Sequence, residues 1–242
     1  MWSRRTILLG AGVVSLTLLV LQDAPSRPVL PTRPEPAAVR PVAPRPAIVS
    51  RKVWRADEGL VKERATYTHT VSAVFLHHTG HPNDYDCADV PRMLRAMQQD
   101  HVKNEGWDDM GYNFVVDRCG TIYEGRAGGV TRPVEGAHTK GFNVDTIGIA
   151  ALGTFGPGTK VPPALEAGIA KVAAWKLRRG ADPRGTVRLV STSDASTYRK
   201  GETARLHVIS GHRDSYQTNC PGKVLYGRLP AIRNAVAGLR ER

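Results

Sequence analysis

Apolar and polar residues change rhythm along this 242-residue chain, and each rhythm predicts an element. Residues 71–77 are a short run of β-branched and aromatic side chains, as in a buried strand, which places Ala73, Phe75 and His77 on one face and Val74, Leu76 and His78 on the other. From Val90 the apolar positions shift to helical spacing through Met93, Leu94, Met97 and His101, with Asp89 as N-cap and Pro91 in the first turn. That stripe is a core face, and His101 on it reads as a packed histidine. Residues 106–116 read as a loop feeding a strand, Asp117-Arg118-Cys119-Gly120 as a hairpin turn, and 121–124 as the returning strand. A glycine-rich loop over 125–136 precedes another buried strand at 145–152. Pro162 and Pro163 open a second helix that runs to Arg179, with Gly180 as its stop. Residues 182–202 read as a polar surface loop with a short strand at 187–190, and a last amphipathic helix spans 229–239 with Ile232 and Val236 inward. Three helices and about five or six strands in mixed order predict an α/β fold, a single domain whose central mixed β-sheet is flanked by three main helices.

The chain before residue 48 follows another rule. Ser3-Arg4-Arg5 precedes an apolar run that ends at Leu21, the layout of an export signal or anchor over residues 1–24, and the arginine pair resembles a twin-arginine signal. At about fifteen residues the run is shorter than the roughly 20 a spanning helix needs, so membrane contact is expected only if this leader stays uncleaved. Proline recurs through residues 25–47 with Arg27, Arg33, Arg40 and Arg45 between, which makes that stretch an extended linker and assigns the globular domain to 48–242. Of the net charge of +12, the first fifty residues hold six Arg against Asp23 and Glu35, leaving about +8 on the remainder. Such a surplus suits an anionic polymer. The basic residues are scattered and no nucleic-acid-binding motif accompanies them, so nucleic acid is not expected as a partner.

Candidate chemistry gathers near the C-terminus, where His212 and Cys220 stand eight residues apart in a short loop. Imidazole nitrogen and thiolate sulfur are ligands that zinc accepts. A third ligand is offered by the histidine pair that ends the 71–77 strand, and alternation lets only one of the two face a given site. Two histidines and one cysteine leave a tetrahedral position open, the catalytic rather than the structural arrangement. A structural zinc would need a fourth protein ligand, with His78 and His138 the nearest candidates. If Cys220 binds metal, Cys87 and Cys119 remain as a pair, which suggests a disulfide in an oxidising compartment; two buried free thiols are the alternative.

His77-His78-Thr79, Gly106-Trp107-Asp108-Asp109-Met110-Gly111-Tyr112-Asn113-Phe114, Tyr123-Glu124-Gly125-Arg126, Gly136-Ala137-His138, Ile147-Gly148-Ile149 and Gly211-His212-Arg213-Asp214 through Cys220-Pro221-Gly222 together resemble, in collinear order over residues 51–242, the peptidoglycan recognition proteins. These belong with the zinc-dependent N-acetylmuramoyl-L-alanine amidases of the type 2, phage-lysozyme-like group. The resemblance implies a groove over a zinc ion held by His77, His212 and Cys220. It implies hydrolysis of the amide between N-acetylmuramic acid and L-alanine, with Tyr112 as a catalytic residue and Thr218 at the position where phage enzymes carry a catalytic lysine. It further implies His138, Arg126 and His78 as substrate-binding or groove-lining residues, peptidoglycan or muropeptides as partners, and a monomer that is secreted or associated with the cell wall. A non-hydrolytic peptidoglycan-binding receptor is the alternative, although such members commonly lack a ligand, often the cysteine. The family's Gly-Trp determinant for diaminopimelate would follow Glu124-Gly125-Arg126; Ala127-Gly128-Gly129 stands there instead, so the resemblance does not specify the stem peptide.

Overall fold

The computed structural model describes residues 43–241, and the expected leader and nearly all of the linker lie outside them. The buried run read from the sequence forms the strand β1 (Ala73–His78), and its continuous apolar character has a structural cause: both of its faces are covered. It pairs in parallel with β4 (Thr146–Ala151) on one side and β7 (Ile209–Gly211) on the other. β2 (Phe114–Val116) adds in parallel to β4, and β3 (Ile122–Glu124) returns antiparallel to β2. The resulting mixed sheet has the order β3-β2-β4-β1-β7.

Two layers sandwich this sheet. On one face α3 (Pro163–Lys176) and α5 (Leu229–Arg240) bury Leu165, Ile169, Val172, Ile232 and Val236 against Val74, Leu76, Phe114, Val116, Ile147 and Ile149. Full burial of each such side chain is worth about 1.5–3 kcal/mol, so this layer is the main source of stability. On the other face α2 (Val90–Lys103) packs Leu94 and Met97 with Val115, Ala150 and Trp54, the last from the short helix α1 (Arg51–Trp54). Beside it a separate hairpin of β5 (Thr186–Val190) and β6 (Thr203–His207) lays Leu189, Ala204 and Leu206 over Ala73 and Phe75. His77 continues that same face of β1 beyond the hairpin. A one-turn helix, α4 (Lys223–Gly227), leads into α5. Among the described residues no helix is long and apolar enough to cross a membrane.

Several local expectations need correction. Asp89 does not cap α2 with its side chain, because it already has helical backbone angles (φ −80°, ψ −14°). The cap lies one 3₁₀ turn earlier, where the Asp86 carboxylate accepts from the Ala88 N–H at 2.9 Å. Helix α3 stops at Lys176 rather than Arg179: the Arg178 N–H donates to the Val71 carbonyl at 2.9 Å, and the Arg240 guanidinium takes the carbonyls of Ala174 and Leu177. Gly180, with φ of 78°, serves the turn that follows. Residues 182–202 are loop apart from β5, as expected; the strand missing from the sequence reading is β6, just beyond them, which closes β5 into the hairpin. Cys87 and Cys119 form a disulfide that ties the entrance of α2 to the β2–β3 turn, so the free-thiol alternative does not hold. The packed chain includes Ala43, which is buried, and Arg45, whose guanidinium lies over the Trp175 ring, both ahead of residue 48.

Candidate metal centre

Strand register brings the first two candidate ligands together. His77 sits near the carboxyl end of β1, opposite Ala150, and Gly211 at the end of β7 pairs with Leu76, so His212 leaves the sheet beside His77. Crevices at the carboxyl ends of strands are where open α/β sheets place ligands. The two imidazole rings are 4.5 Å apart.

The loop that follows is closed by its own hydrogen bonds. Asp214 accepts from the Gly211 N–H at 2.9 Å and from the Tyr226 hydroxyl at 2.6 Å, and the Ser215 and Tyr216 N–H groups donate to the His212 carbonyl. The Arg213 N–H then donates to the Cys220 carbonyl at 3.0 Å, which folds the chain back on itself. Cys220 Sγ consequently lies 3.7 Å from His77 Nδ1, where it also accepts from the His78 backbone N–H at 3.3 Å.

This donor set fits zinc. Zn–S near 2.3 Å and Zn–N near 2.0 Å at a tetrahedral angle separate nitrogen from sulfur by about 3.5 Å, against the 3.7 Å found here. One ligand atom from each of His77, His212 and Cys220 lies within 4.8 Å of the others, and among the described residues no fourth His, Cys, Asp or Glu joins the group. Two nitrogens and a sulfur suit zinc and not the oxygen-seeking magnesium or calcium.

The protonation of the group follows from burial. His77 is held well below the usual imidazole range, first by burial and then by His212, His138 and His78. His212 is lowered to about 4, again by burial first and then His78, so both rings are neutral and offer a lone pair near pH 7. Burial pushes the Cys220 thiol up to about 12, against the opposing pull of the His78 N–H and of Arg213. A divalent cation among these atoms would reverse that last effect by stabilising the thiolate.

The other expected site residues take distinct positions. The Tyr112 ring lies 5.3 Å from that of His77 and 5.5 Å from that of His101, and its hydroxyl makes no hydrogen bond among the described residues. Burial, and then Cys220, raise its pKa, which keeps the phenol a neutral donor. Thr218 Oγ1 accepts from the Cys220 N–H at 3.2 Å, bracing the ligand loop while its own proton stays available. Arg126 is committed to the wall, donating to the Met110 carbonyl at 3.2 Å and lying 3.6 Å from Asp108. His78 points to the face of β1 opposite His77 and accepts weakly from the Phe155 N–H at 3.5 Å. His138 is 5 % exposed and lies beneath His77, not on a groove wall: its Nδ1 is 3.2 Å from His77 Nε2.

Two groups escaped the sequence reading. A cavity of about 240 Å³ opens beside Tyr112, lined by Thr79 and His81 after β1 and by Ala96, Met97, Asp100 and His101 of α2. The helical spacing of those last four was the available signal. A buried ion pair, Arg51 with Asp109, joins α1 to the segment before Tyr112.

Comparison with known proteins shows the family and supports the fold. Residues 67–223 match the family model described as N-acetylmuramoyl-L-alanine amidase. The N-acetylmuramoyl-L-alanine amidase of Homo sapiens is 31 % identical over 159 residues, which are 64 % of this chain but only 23 % of that protein's own length. Peptidoglycan-recognition protein SC2 of Drosophila simulans is 29 % identical over 183 residues, 75 % of this chain and 84 % of that protein. The solved structure of tracheal cytotoxin bound to the ectodomain complex of peptidoglycan recognition proteins LCa and LCx superposes with a TM-score of 0.57 at 26 % identity, covering 75 % of this chain and 93 % of that one.

Proposed function

This chain belongs to the N-acetylmuramoyl-L-alanine amidase family that includes the peptidoglycan recognition proteins, and we propose that it is a zinc amidase cutting the bond between N-acetylmuramic acid and L-alanine in peptidoglycan. The observation that carries this reading is the convergence of His77, His212 and Cys220 with no fourth ligand among the described residues. In this reading those three hold the ion, which when bound supplies a Lewis acid at the open position. Tyr112 donates its unengaged hydroxyl to the carbonyl oxygen of the scissile amide, where negative charge develops. Thr218 keeps Cys220 in place and has a proton to donate, but no charge to add. Arg126 lines the approach. The leader over residues 1–24 and the proline-rich linker would carry the enzyme out of the cell to its insoluble substrate, where it acts as a monomer.

Full-length protein incubated with purified cell walls is expected to release stem peptides, to stop when a chelator removes the metal, and to resume when zinc is restored. Cys220→Ser should lose zinc in equilibrium dialysis and lose release while the circular dichroism stays native, because the core layers do not include the ligand. Mass analysis that finds muropeptides bound yet every lactyl amide intact, with zinc loaded, would overturn the enzyme reading in favour of the peptidoglycan-binding receptor.

A further inference from the structure

We propose that a directed chain of hydrogen bonds, from the Phe142 carbonyl through Thr146 and His138 to His77, holds His77 in the tautomer whose Nδ1 is bare and faces the metal position, which makes His138 and Thr146 positioning residues. The inference rests on the metal reading above. The direction follows from the fixed end. Thr146 Oγ1 lies 2.5 Å from the Phe142 carbonyl oxygen and 3.3 Å from that of Asn143. Both oxygens only accept, so the single hydroxyl proton is committed to the backbone and Thr146 can offer nothing but lone pairs to its other neighbour. That neighbour is His138 Nε2 at 3.3 Å, which therefore carries a proton.

His138 is buried, and its side-chain partners are His77 and Thr146, neither of them anionic. A charge there would be uncompensated, so the ring is neutral and holds one proton only. Its Nδ1 is bare and accepts from His77 Nε2 at 3.2 Å. His77 in turn has its proton on Nε2 and its lone pair on Nδ1, the atom 3.7 Å from Cys220 Sγ. Metal-ligating histidines usually donate the second ring N–H to a carboxylate, a carbonyl or water. Here a second histidine takes that place, and a histidine needs orienting itself.

The orienting structure is present. The His138 ring occupies the space that side chains at two glycines would fill: a Cβ on Gly136 would lie 2.6 Å from its Cδ2, and one on Gly148 would overlap the ring itself. Asn143 accepts from the His138 backbone N–H at 3.0 Å, and the Phe75 ring packs 6.0 Å away.

The test is nitrogen-15 NMR of histidine-labelled full-length protein, stripped of metal, with zinc affinity measured alongside. Wild type should show His77 and His138 both protonated at Nε2 and bare at Nδ1. Thr146→Val, which keeps the shape but has no acceptor, should mix the tautomers of both rings and weaken zinc binding by roughly 10–100-fold; Thr146→Ser should restore both readouts. Wild-type His77 protonated at Nδ1 would overturn the proposal even if the valine variant failed to fold. So would a folded valine variant with unchanged tautomers and affinity. None of these readouts uses amide cleavage, so a protein that bound zinc without hydrolysing would fail as an amidase and still pass here.

Discussion

Replacing Arg51 should cost more stability than neutralising Asp109, although the two form one buried ion pair. Arg51 Nη1 lies 3.0 Å from Asp109 Oδ2, and the side chains are 6 % and 2 % exposed. Arg51 has further anchors: its Nε and Nη2 donate to Glu58 at 2.9 and 3.0 Å, and Nη1 also donates to the Gly125 carbonyl. The other partners of Asp109 are neutral, namely Gln98 Nε2 at 3.1 Å and the Ala127 N–H at 2.7 Å. Arg51→Met thus strands a buried carboxylate, a situation that costs about 3–5 kcal/mol. Asp109→Asn keeps the volume and leaves Arg51 paired with Glu58, so it forfeits a charge-assisted bond worth about 1.5–3 kcal/mol. The double variant Arg51→Met/Asp109→Leu should be more stable than Arg51→Met alone, since no buried charge is left without its partner. Urea titration of the disulfide-intact protein measures all three from the midpoint and slope. An Arg51→Met loss equal to or below the Asp109→Asn loss would refute the reasoning.

Three further outcomes follow from the geometry. Tyr112→Phe should bind zinc as wild type does but release stem peptides more slowly by about 10²–10³-fold, the usual effect of losing one donor to a developing oxyanion; a wild-type rate removes the hydroxyl from the chemistry. His101 is lowered to about 4, chiefly by burial, with Asp100 and Asp109 pulling the other way. Between about pH 6.5 and 4 the unfolded chain therefore binds the proton that the folded chain refuses, so stability should fall as the metal-free protein is acidified, by on the order of 3 kcal/mol from this group; an acid slope that is the same in His101→Gln would contradict this. Reducing Cys87–Cys119, which closes 32 residues, should cost about 3–4 kcal/mol in the chain-entropy account, and a loss under about 1 kcal/mol in urea would contradict it.

What the sequence disclosed depended on whether the cause was local. β1, β4 and α2 were legible because burial on both faces, or on one helical stripe, is written in consecutive residues. β6 was not, since Thr203, Arg205 and His207 face outward and Ala204 and Leu206 are the only apolar positions; it is a strand because β5 pairs with it. The end of α3 was misread for the same reason: the acceptor that stops it is Val71 and its cap is Arg240, both distant in sequence. Residue type and spacing marked His212, Cys220 and one member of the pair His77–His78 as candidate ligands, and the resemblance singled out His77, but the role of His138 could be read from neither. The resemblance makes His138 a substrate-binding or groove residue, whereas the missing side chains at Gly136 and Gly148 leave room for its ring in the interior. Residue type announces which atoms can give or take a proton, but the direction of each bond is set by whichever acceptor ends the chain. Here that acceptor is the backbone oxygen of Phe142, and no letter marks it because every residue carries one.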